Sequence, residues 1–291
     1  MAPVSTTPRR WLVRFGYDGA GFVGWARQPG LRSVEGVLRA GLVRQGIATS
    51  EEEARLEVAS RTDRGVSARA NAFAVSAPLA ASELLRRLNT ISASLFFTAA
   101  RGVPVTFRPR RAVRRVYRYF DPSPVVDREL VSRAAALLAG PVDTRTFGRG
   151  VPAAAPRPLP VESVSVTPTG VGHIVEVRAP SFVWGMVRKI VGGLREVDTG
   201  RLSLGRFEAA ARGRQRLTLP LAAPEGLVLW DVEYPEMWEE IWPGPNRLQR
   251  SARIEQVHAA WTRGRLLAAL YGGEGVAEDG TRVQRAREPL R

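Results

Sequence analysis

The spacing of hydrophobic residues predicts alternating strands and helices in the first half of the chain. The β-rich run at residues 11–17 ends at Asp18-Gly19, a turn signal that is typical of a strand end. Ser33 is a candidate helix N-cap, because apolar residues follow it at helical spacing. The other elements predicted in this half are strands at 56–59, 70–75 and 95–99 and a helix at 82–88 opened by a capping Ser82. The order is therefore β-α-β-β-α-β.

The second half repeats this order of elements. Strands are predicted at 113–120, 164–167, 173–177 and 227–234, and helices at 128–138 and 183–197, with a short helix before the last strand. Two such units predict an α+β fold in which two ferredoxin-like βαββαβ halves form one mostly antiparallel sheet, with helices on one face. The same order also describes an RNA-recognition module, so a non-catalytic RNA-binding protein is an alternative.

Changes in composition divide the chain into four segments. These are a flexible N-terminus at 1–9, an N-terminal half at 10–107, a C-terminal half at 108–235 and a C-terminal extension at 236–291. The extension is predicted to contain a basic helix at about 252–270. Its Gly- and charge-rich end has the composition of a disordered tail.

Composition excludes several classes of site. The 291 residues are 44% hydrophobic, which is enough for a sizeable core. The absence of cysteine excludes disulfides and thiolate zinc sites, and the only histidines, His173 and His258, lack metal-ligand spacing. No signal peptide is recognisable, and no uncharged apolar run approaches the roughly 20 residues that span a bilayer. We therefore expect a cytoplasmic protein that binds neither metal nor membrane.

The net charge indicates a polyanionic partner. Lys and Arg number 43 against 28 Asp and Glu, which gives a net charge of +15. Lys189 is the only lysine, so the positive charge is almost entirely arginine, whose planar head binds phosphate in a bidentate manner. A GC-rich genome would explain the preference for arginine over lysine, but it would not explain the excess over acidic residues. Nucleic acid is the commonest partner of such a surface.

A glycine pattern in the first loop suggests a nucleotide cofactor at first sight. Gly19, Gly21 and Gly24 form a GxGxxG sequence directly after the first predicted strand. A dinucleotide fold needs a helix that starts at this point, and here no helix is predicted before Ser33. We therefore predict that the protein has no cofactor.

The strongest candidate for chemistry is the carboxylate of Asp63. It follows a predicted strand, lies close to Arg61 and Arg64, and precedes Gly65, which permits a tight turn. Taken alone, an aspartate before a glycine is most often a turn residue. A neighbouring arginine also keeps a carboxylate ionised, as nucleophilic chemistry requires.

The segment at residues 59–68 resembles the catalytic motif of the TruA family of tRNA pseudouridine synthases. Four further segments resemble that family in the same order, at residues 17–35, 107–119, 181–192 and 223–227. The motif also departs from the family's usual form. Ser60 stands where glycine is usual, and Arg64 and Ser67 replace the alanine and histidine common in bacterial members. In this respect the chain is similar to archaeal and eukaryotic relatives, which differ in the uridines they modify.

The resemblance implies roles for individual residues. It makes Asp63 the nucleophile, Tyr117 the residue that stacks on uracil and takes part in proton transfer at C5, and Arg188 the partner of the Asp63 carboxylate. It also implies that Leu227 packs against the base and that Arg61 supports the motif loop or contacts the flipped nucleotide. Candidates for phosphate contact are Arg27, Arg69, Arg108, Arg110 and Arg114.

The function implied by the resemblance is the isomerisation of uridine to pseudouridine in tRNA. The expected targets lie on the 3′ side of the anticodon stem-loop, at tRNA positions 38–40, and the expected assembly is a homodimer. The reaction breaks the N1–C1′ bond and rejoins the base through C5, so it requires no redox cofactor. One alternative, besides the RNA-binding protein, is a pseudouridine synthase that acts on other tRNA or RNA uridines.

Overall fold

The computed structural model describes residues 8–152, 158–170, 172–235, 238 and 240–241. The helices are α1 (Val34–Arg44), α2 (Ala81–Leu88), α3 (Arg128–Ala136), α4 (Thr144–Phe147), α5 (Met186–Asp198) and α6 (Leu204–Ala211). The strands are β1 (Arg9–Tyr17), β2 (Glu57–Val58), β3 (Ser67–Ala77), β4 (Leu95–Val103), β5 (Arg114–Asp121), β6 (Gly140–Val142), β7 (Leu159–Val161), β8 (Ser163–Pro168), β9 (His173–Ala179), β10 (Leu227–Glu233) and β11 (Glu240–Ile241). The helix predicted at about 252–270 lies outside the described residues.

The strands confirm the predicted α+β fold with one mostly antiparallel sheet. Eight strands run in the order β11-β4-β1-β3-β10-β5-β9-β8, and β2 pairs with β3 beside them. Within each half the path is the same: β4-β1-β3-β2 in the first half and β10-β5-β9-β8 in the second. The helices cover one face of the sheet, as predicted. Strands β6 and β7 form a separate two-stranded sheet that the sequence pattern did not predict.

The two halves join through a parallel contact between β3 and β10. Val228 lies opposite Ser67, and Leu229 lies opposite Ala68. Because paired parallel strands start at the same edge of a sheet, the segments that precede them are neighbours. The loop that contains Asp63 therefore lies next to the segment that leads into Leu227.

The N-terminal half is built around an aromatic core. The ring centroids of Phe15 and Phe73 are 5.1 Å apart in an edge-to-face arrangement, and Phe97 stacks on Phe15 at 6.0 Å. Helix α1 starts as predicted, because the Ser33 side chain accepts a hydrogen bond from the Gly36 backbone N–H. This core fixes the positions of β1 and β3. The Asp63 loop leads directly into β3 and contacts the end of β1.

Two predicted helix starts were wrong. Helix α2 begins at Ala81, and its N-cap is Ala80, which provides no side-chain hydrogen bond, so Ser82 does not cap it. Helix α5 begins at Met186 rather than at residue 183, because Gly185 adopts a left-handed φ of 73° and interrupts the helical path. Residues 183–185 are therefore loop residues, free to line a cleft. In the part of the chain that the structure describes, no helix is long and apolar enough to cross a membrane.

Candidate active site

A cleft of about 930 Å³ opens where the two halves meet. The N-terminal half contributes the loop before β3 and the segment that follows β1, and the C-terminal half contributes β5 and the start of α5. The three predicted catalytic residues, Asp63, Tyr117 and Arg188, all line this cleft. The fold thus brings together side chains from three separate elements.

Residues at the end of β1 and in the segment after it hold the Asp63 loop in place. The Tyr17 hydroxyl is 2.8 Å from Thr62 Oγ1, and the Trp25 backbone N–H donates to the Thr62 carbonyl at 3.0 Å. Burial raises the pKa of Tyr17 to about 12, so this hydroxyl stays neutral. Gly24 has a φ of 111°, and a Cβ there would lie 2.9 Å from the Thr62 carbonyl oxygen. These contacts fix the backbone on which Asp63 is mounted.

Gly65 closes the loop after Asp63. Its φ of 78° lies in the left-handed region, which glycine adopts without strain. The following Val66 backbone N–H donates to the Asp63 carbonyl at 3.2 Å, which completes a tight turn. The Asp63 side chain is 29% exposed, so its carboxylate remains accessible from the cleft.

Arg188 lies beside the Asp63 carboxylate. Its Nη1 is 3.4 Å from Asp63 Oδ2, and its Nε donates to the Ala222 carbonyl at 2.6 Å. The Arg188 side chain is only 12% exposed, and its position in the first turn of α5 depends on the helix start after Gly185. The predicted pairing of these two charged groups is therefore present in the geometry.

Tyr117 lies on β5 and is almost completely buried at the base of the cleft. Its ring packs edge to face on Phe182, with centroids 5.1 Å apart. Its hydroxyl hydrogen-bonds with Ser60, and Arg115 Nε donates to Ser60 Oγ at 3.2 Å. Burial raises the pKa of Tyr117 well above its ordinary value, whereas the Arg115 charge and the Ser60 hydrogen bond oppose that shift. Tyr117 therefore enters any reaction as a neutral phenol.

The Ser60 position was identified in the sequence only as a departure from the motif. In the structure its hydroxyl connects Tyr117 to Arg115. Arg115 is itself buried, and its Nη2 donates to the carbonyls of Ala59 and Arg110. The residue that differs from the usual motif thus forms part of the contact between the Asp63 loop and β5.

The predicted substrate-binding residues fall into two groups. Leu227, Arg61 and Arg110 line the cleft. The other four arginines lie outside the set of described residues that line it, and each has another contact. Arg27 pairs with Glu51, Arg108 with Glu57 and Arg114 with Glu162 and Glu233, while the Arg69 guanidinium lies over the Trp230 ring.

The cleft is strongly basic. Among the described residues that line it, Asp63 is the only carboxylate, against six arginines: Arg61, Arg64, Arg110, Arg115, Arg149 and Arg188. Four of these, Arg61, Arg64, Arg110 and Arg149, are exposed, and no ion pair connects them to described acidic residues. In the same part of the chain no group of three or more His, Cys, Asp or Glu could hold a metal ion. The arrangement suits a polyanion that presents one reactive group to one carboxylate.

The rim of the cleft contains two residues that sequence reasoning did not select. Trp184 is 55% exposed, and the Arg149 guanidinium lies 4.1 Å from the centroid of its ring. The only sequence signal was a tryptophan two residues before the basic Met186–Ile190 segment, and nothing connected it to residue 149.

Comparison with known proteins identifies the family of this chain. A family model described as tRNA pseudouridine synthase matches residues 134–235. The tRNA pseudouridine synthase A of Thermococcus kodakarensis is 35% identical over 263 residues, which cover 89% of this chain and 96% of the relative. That of Methanothrix thermoacetophila is 36% identical over 233 residues, or 78% of this chain and 85% of the relative. These similarities decide against a non-catalytic RNA-binding protein. The chain belongs to the TruA family of tRNA pseudouridine synthases, which are isomerases.

Proposed function

We propose that this pseudouridine synthase modifies uridine on the 3′ side of the tRNA anticodon stem-loop, with Asp63 as its nucleophile. The observation that carries the proposal is the placement of Asp63, an accessible carboxylate on a fixed loop, beside the largely buried Arg188. The target position, the homodimer and the cytoplasmic location follow from the family resemblance and are part of the proposal.

The substrate has to bring its base to Asp63. A uridine in a stem-loop leaves its stack at a cost of a few kcal/mol, which contacts with the flipped base and the backbone offset. Leu227 and Phe182 provide apolar surface in the cleft, and the exposed arginines provide phosphate contacts. Asp63 then acts at a nucleotide that is held away from bulk water, where a charged nucleophile is most effective.

The family resemblance gives Tyr117 the role of stacking on the uracil and moving the proton at C5, and its position in the cleft supports that role. The isomerisation removes a proton from C5 and adds one at N1. The neutral phenol can therefore give its own proton to N1 and then, as a phenolate, take the proton from C5. The Arg115 charge and the Ser60 hydrogen bond both favour the deprotonated phenol, against the effect of burial. We therefore assign Ser60 and Arg115 the role of stabilising a short-lived phenolate during this transfer.

The first prediction tests the reaction and its target. Purified protein and unmodified tRNA should yield pseudouridine at positions on the 3′ side of the anticodon stem-loop, because the family resemblance places the target there. The conversion should reach completion in EDTA with no nucleotide added, if the tRNA is folded before chelation. Tritium release from C5-labelled tRNA measures the reaction, and mapping of modified positions identifies the target.

A tRNA with cytidine at each proposed target is the matched control, and it should release no tritium. Pseudouridine at other positions in the first tRNA would overturn the proposed specificity. Restoration of a chelator-inhibited activity by zinc would overturn the prediction that the reaction needs no metal.

The second prediction concerns the salt dependence of tRNA binding. Each neutralised phosphate releases counterions, so four exposed cleft arginines predict a slope of at least about 3 in log Kd against log salt concentration. Arg110→Gln should lower this slope by about 1, because it removes one phosphate contact. Arg206→Gln, on the exposed surface of α6 outside the cleft, should leave it unchanged. Filter binding over a salt series measures the slope, and equal slopes for both variants would contradict a basic cleft as the binding surface.

A further inference from the structure

Trp184 is the most exposed aromatic side chain in the described part of the chain. It lies in the loop between β9 and α5 and is 55% exposed, whereas Phe120, the next, is 42% exposed. Trp184 also lines the same cleft as Asp63. An exposed tryptophan costs hydrophobic free energy in the unliganded protein, so its position at the mouth of a binding cleft suggests a ligand that covers it.

Arg149 covers part of the Trp184 ring and leaves the rest open. Its guanidinium lies 4.1 Å from the ring centroid, which is the geometry of a cation–π contact. Arg149 is exposed, and no ion pair joins it to an acidic residue within the described ranges. The guanidinium is therefore available to a phosphate while it supports the ring.

The backbone fixes this pair before any ligand binds. The Arg149 backbone N–H donates to the Trp184 carbonyl at 2.8 Å. A Cβ on Gly185 would lie 3.0 Å from Arg149 Cδ, so glycine permits the close approach. Lys189 Nζ donates to the carbonyls of Thr146 and Gly148 at 2.9 and 2.8 Å and so holds the segment before Arg149 against α5. A surface ordered in advance loses less conformational entropy on binding.

We propose that Trp184 and Arg149 form a stacking platform for a nucleobase next to the target uridine, with Arg149 also contacting its phosphate. This inference rests on the proposed function. Flipping of the uridine removes a stacking partner from its neighbour, and the open part of the Trp184 ring replaces that partner. Because every base has a π face, the platform accepts any base at the neighbouring position.

The test is a double-mutant cycle between Trp184 and the neighbouring base. The measured quantity is the second-order rate constant for pseudouridine formation in single-turnover reactions. The substrates are whole tRNA and tRNA with an abasic site on the 5′ or the 3′ side of the target. Trp184→Ala should lower the rate constant by roughly 5- to 100-fold on intact tRNA. Trp184→Phe should retain most of it, because phenylalanine keeps a ring.

One of the two abasic tRNAs should slow the wild-type protein to a similar extent and should slow Trp184→Ala no further. The platform would be overturned if the loss from Trp184→Ala and the loss from the abasic site multiplied in both abasic tRNAs. An unchanged rate for Trp184→Ala would also overturn it. Phe120→Ala is the matched control, since it removes an exposed aromatic ring outside the cleft, and it should keep the wild-type rate. Thermal melts check that each variant is folded. Absence of pseudouridine formation by the wild-type protein would refute the proposed function itself, a result distinct from failure of the platform.

Discussion

Asp63→Asn is expected to lower the single-turnover rate of pseudouridine formation by about 10⁴-fold or more. Asparagine keeps the shape and the hydrogen-bonding reach of the side chain but removes its charge and its nucleophilic oxygen. Among the described residues that line the cleft no other carboxylate is present, so nothing nearby replaces the lost group. The rate is measured with saturating protein and C5-labelled tRNA.

The same substitution should leave tRNA affinity within a few-fold of the wild-type value. Phosphate contacts from several arginines dominate binding, and Asp63 makes none of these contacts. Asp231→Asn is a closely matched control. The Asp231 side chain is 30% exposed and pairs with Arg14 at 2.8 Å, while that of Asp63 is 29% exposed and pairs with Arg188 at 3.4 Å. Substantial pseudouridine formation by folded Asp63→Asn, or an equal loss in Asp231→Asn, would defeat the assignment of the nucleophile.

The order of strands and helices could be predicted because each half alternates between two clear periodicities. The pairing of β3 with β10 could not, because periodicity shows which face of a strand is buried but not which strand lies beside it. That pairing, with Val228 opposite Ser67, is what places the Asp63 loop against the segment before Leu227. The site therefore depends on a contact between halves that no local pattern encodes.

The candidate catalytic residues were proposed from the family resemblance, and their geometry came only from the fold. Composition gave the excess of arginine but not which arginines are free to bind RNA. Arg27, Arg108 and Arg114 are paired with glutamates, whereas Arg64 and Arg149, which line the cleft, were not selected. An ion pair between residues far apart in sequence cannot be read from their spacing.

The contact between Arg149 and Trp184 could not be predicted from the sequence pattern either. The prediction placed residues 183–197 on one helix, which would have put Trp184 on its first turn. The left-handed Gly185 moves the helix start to Met186 and leaves Trp184 on the loop at the cleft. A glycine within an apolar helical pattern is compatible with both structures, so the pattern did not distinguish them.

The remaining large effect is expected for Arg188→Met, which should lower the rate by about 10²-fold or more. Removal of one partner from a partly buried ion pair leaves the other charge without compensation, so the Asp63 carboxylate loses both its orientation and its electrostatic support. The substitution also removes the hydrogen bond from Nε to the Ala222 carbonyl, so a loss of stability accompanies it. Single-turnover rates and thermal melts on the same preparation measure the two effects separately.

Arg188→Lys separates a role toward Asp63 from a purely structural one. Lysine restores a positive charge near the carboxylate but has no Nε–H to donate to Ala222, and its head lacks the planar guanidinium that contacts two groups at once. If Arg188 acts by supporting the Asp63 charge, Arg188→Lys should recover at least about tenfold in rate over Arg188→Met, because a charge-assisted contact is regained. Its melting temperature should stay close to that of Arg188→Met, since the bond to Ala222 is absent from both variants. Equal rates for folded Arg188→Lys and Arg188→Met would show that Arg188 contributes through the Ala222 contact alone. Another residue would then have to position Asp63.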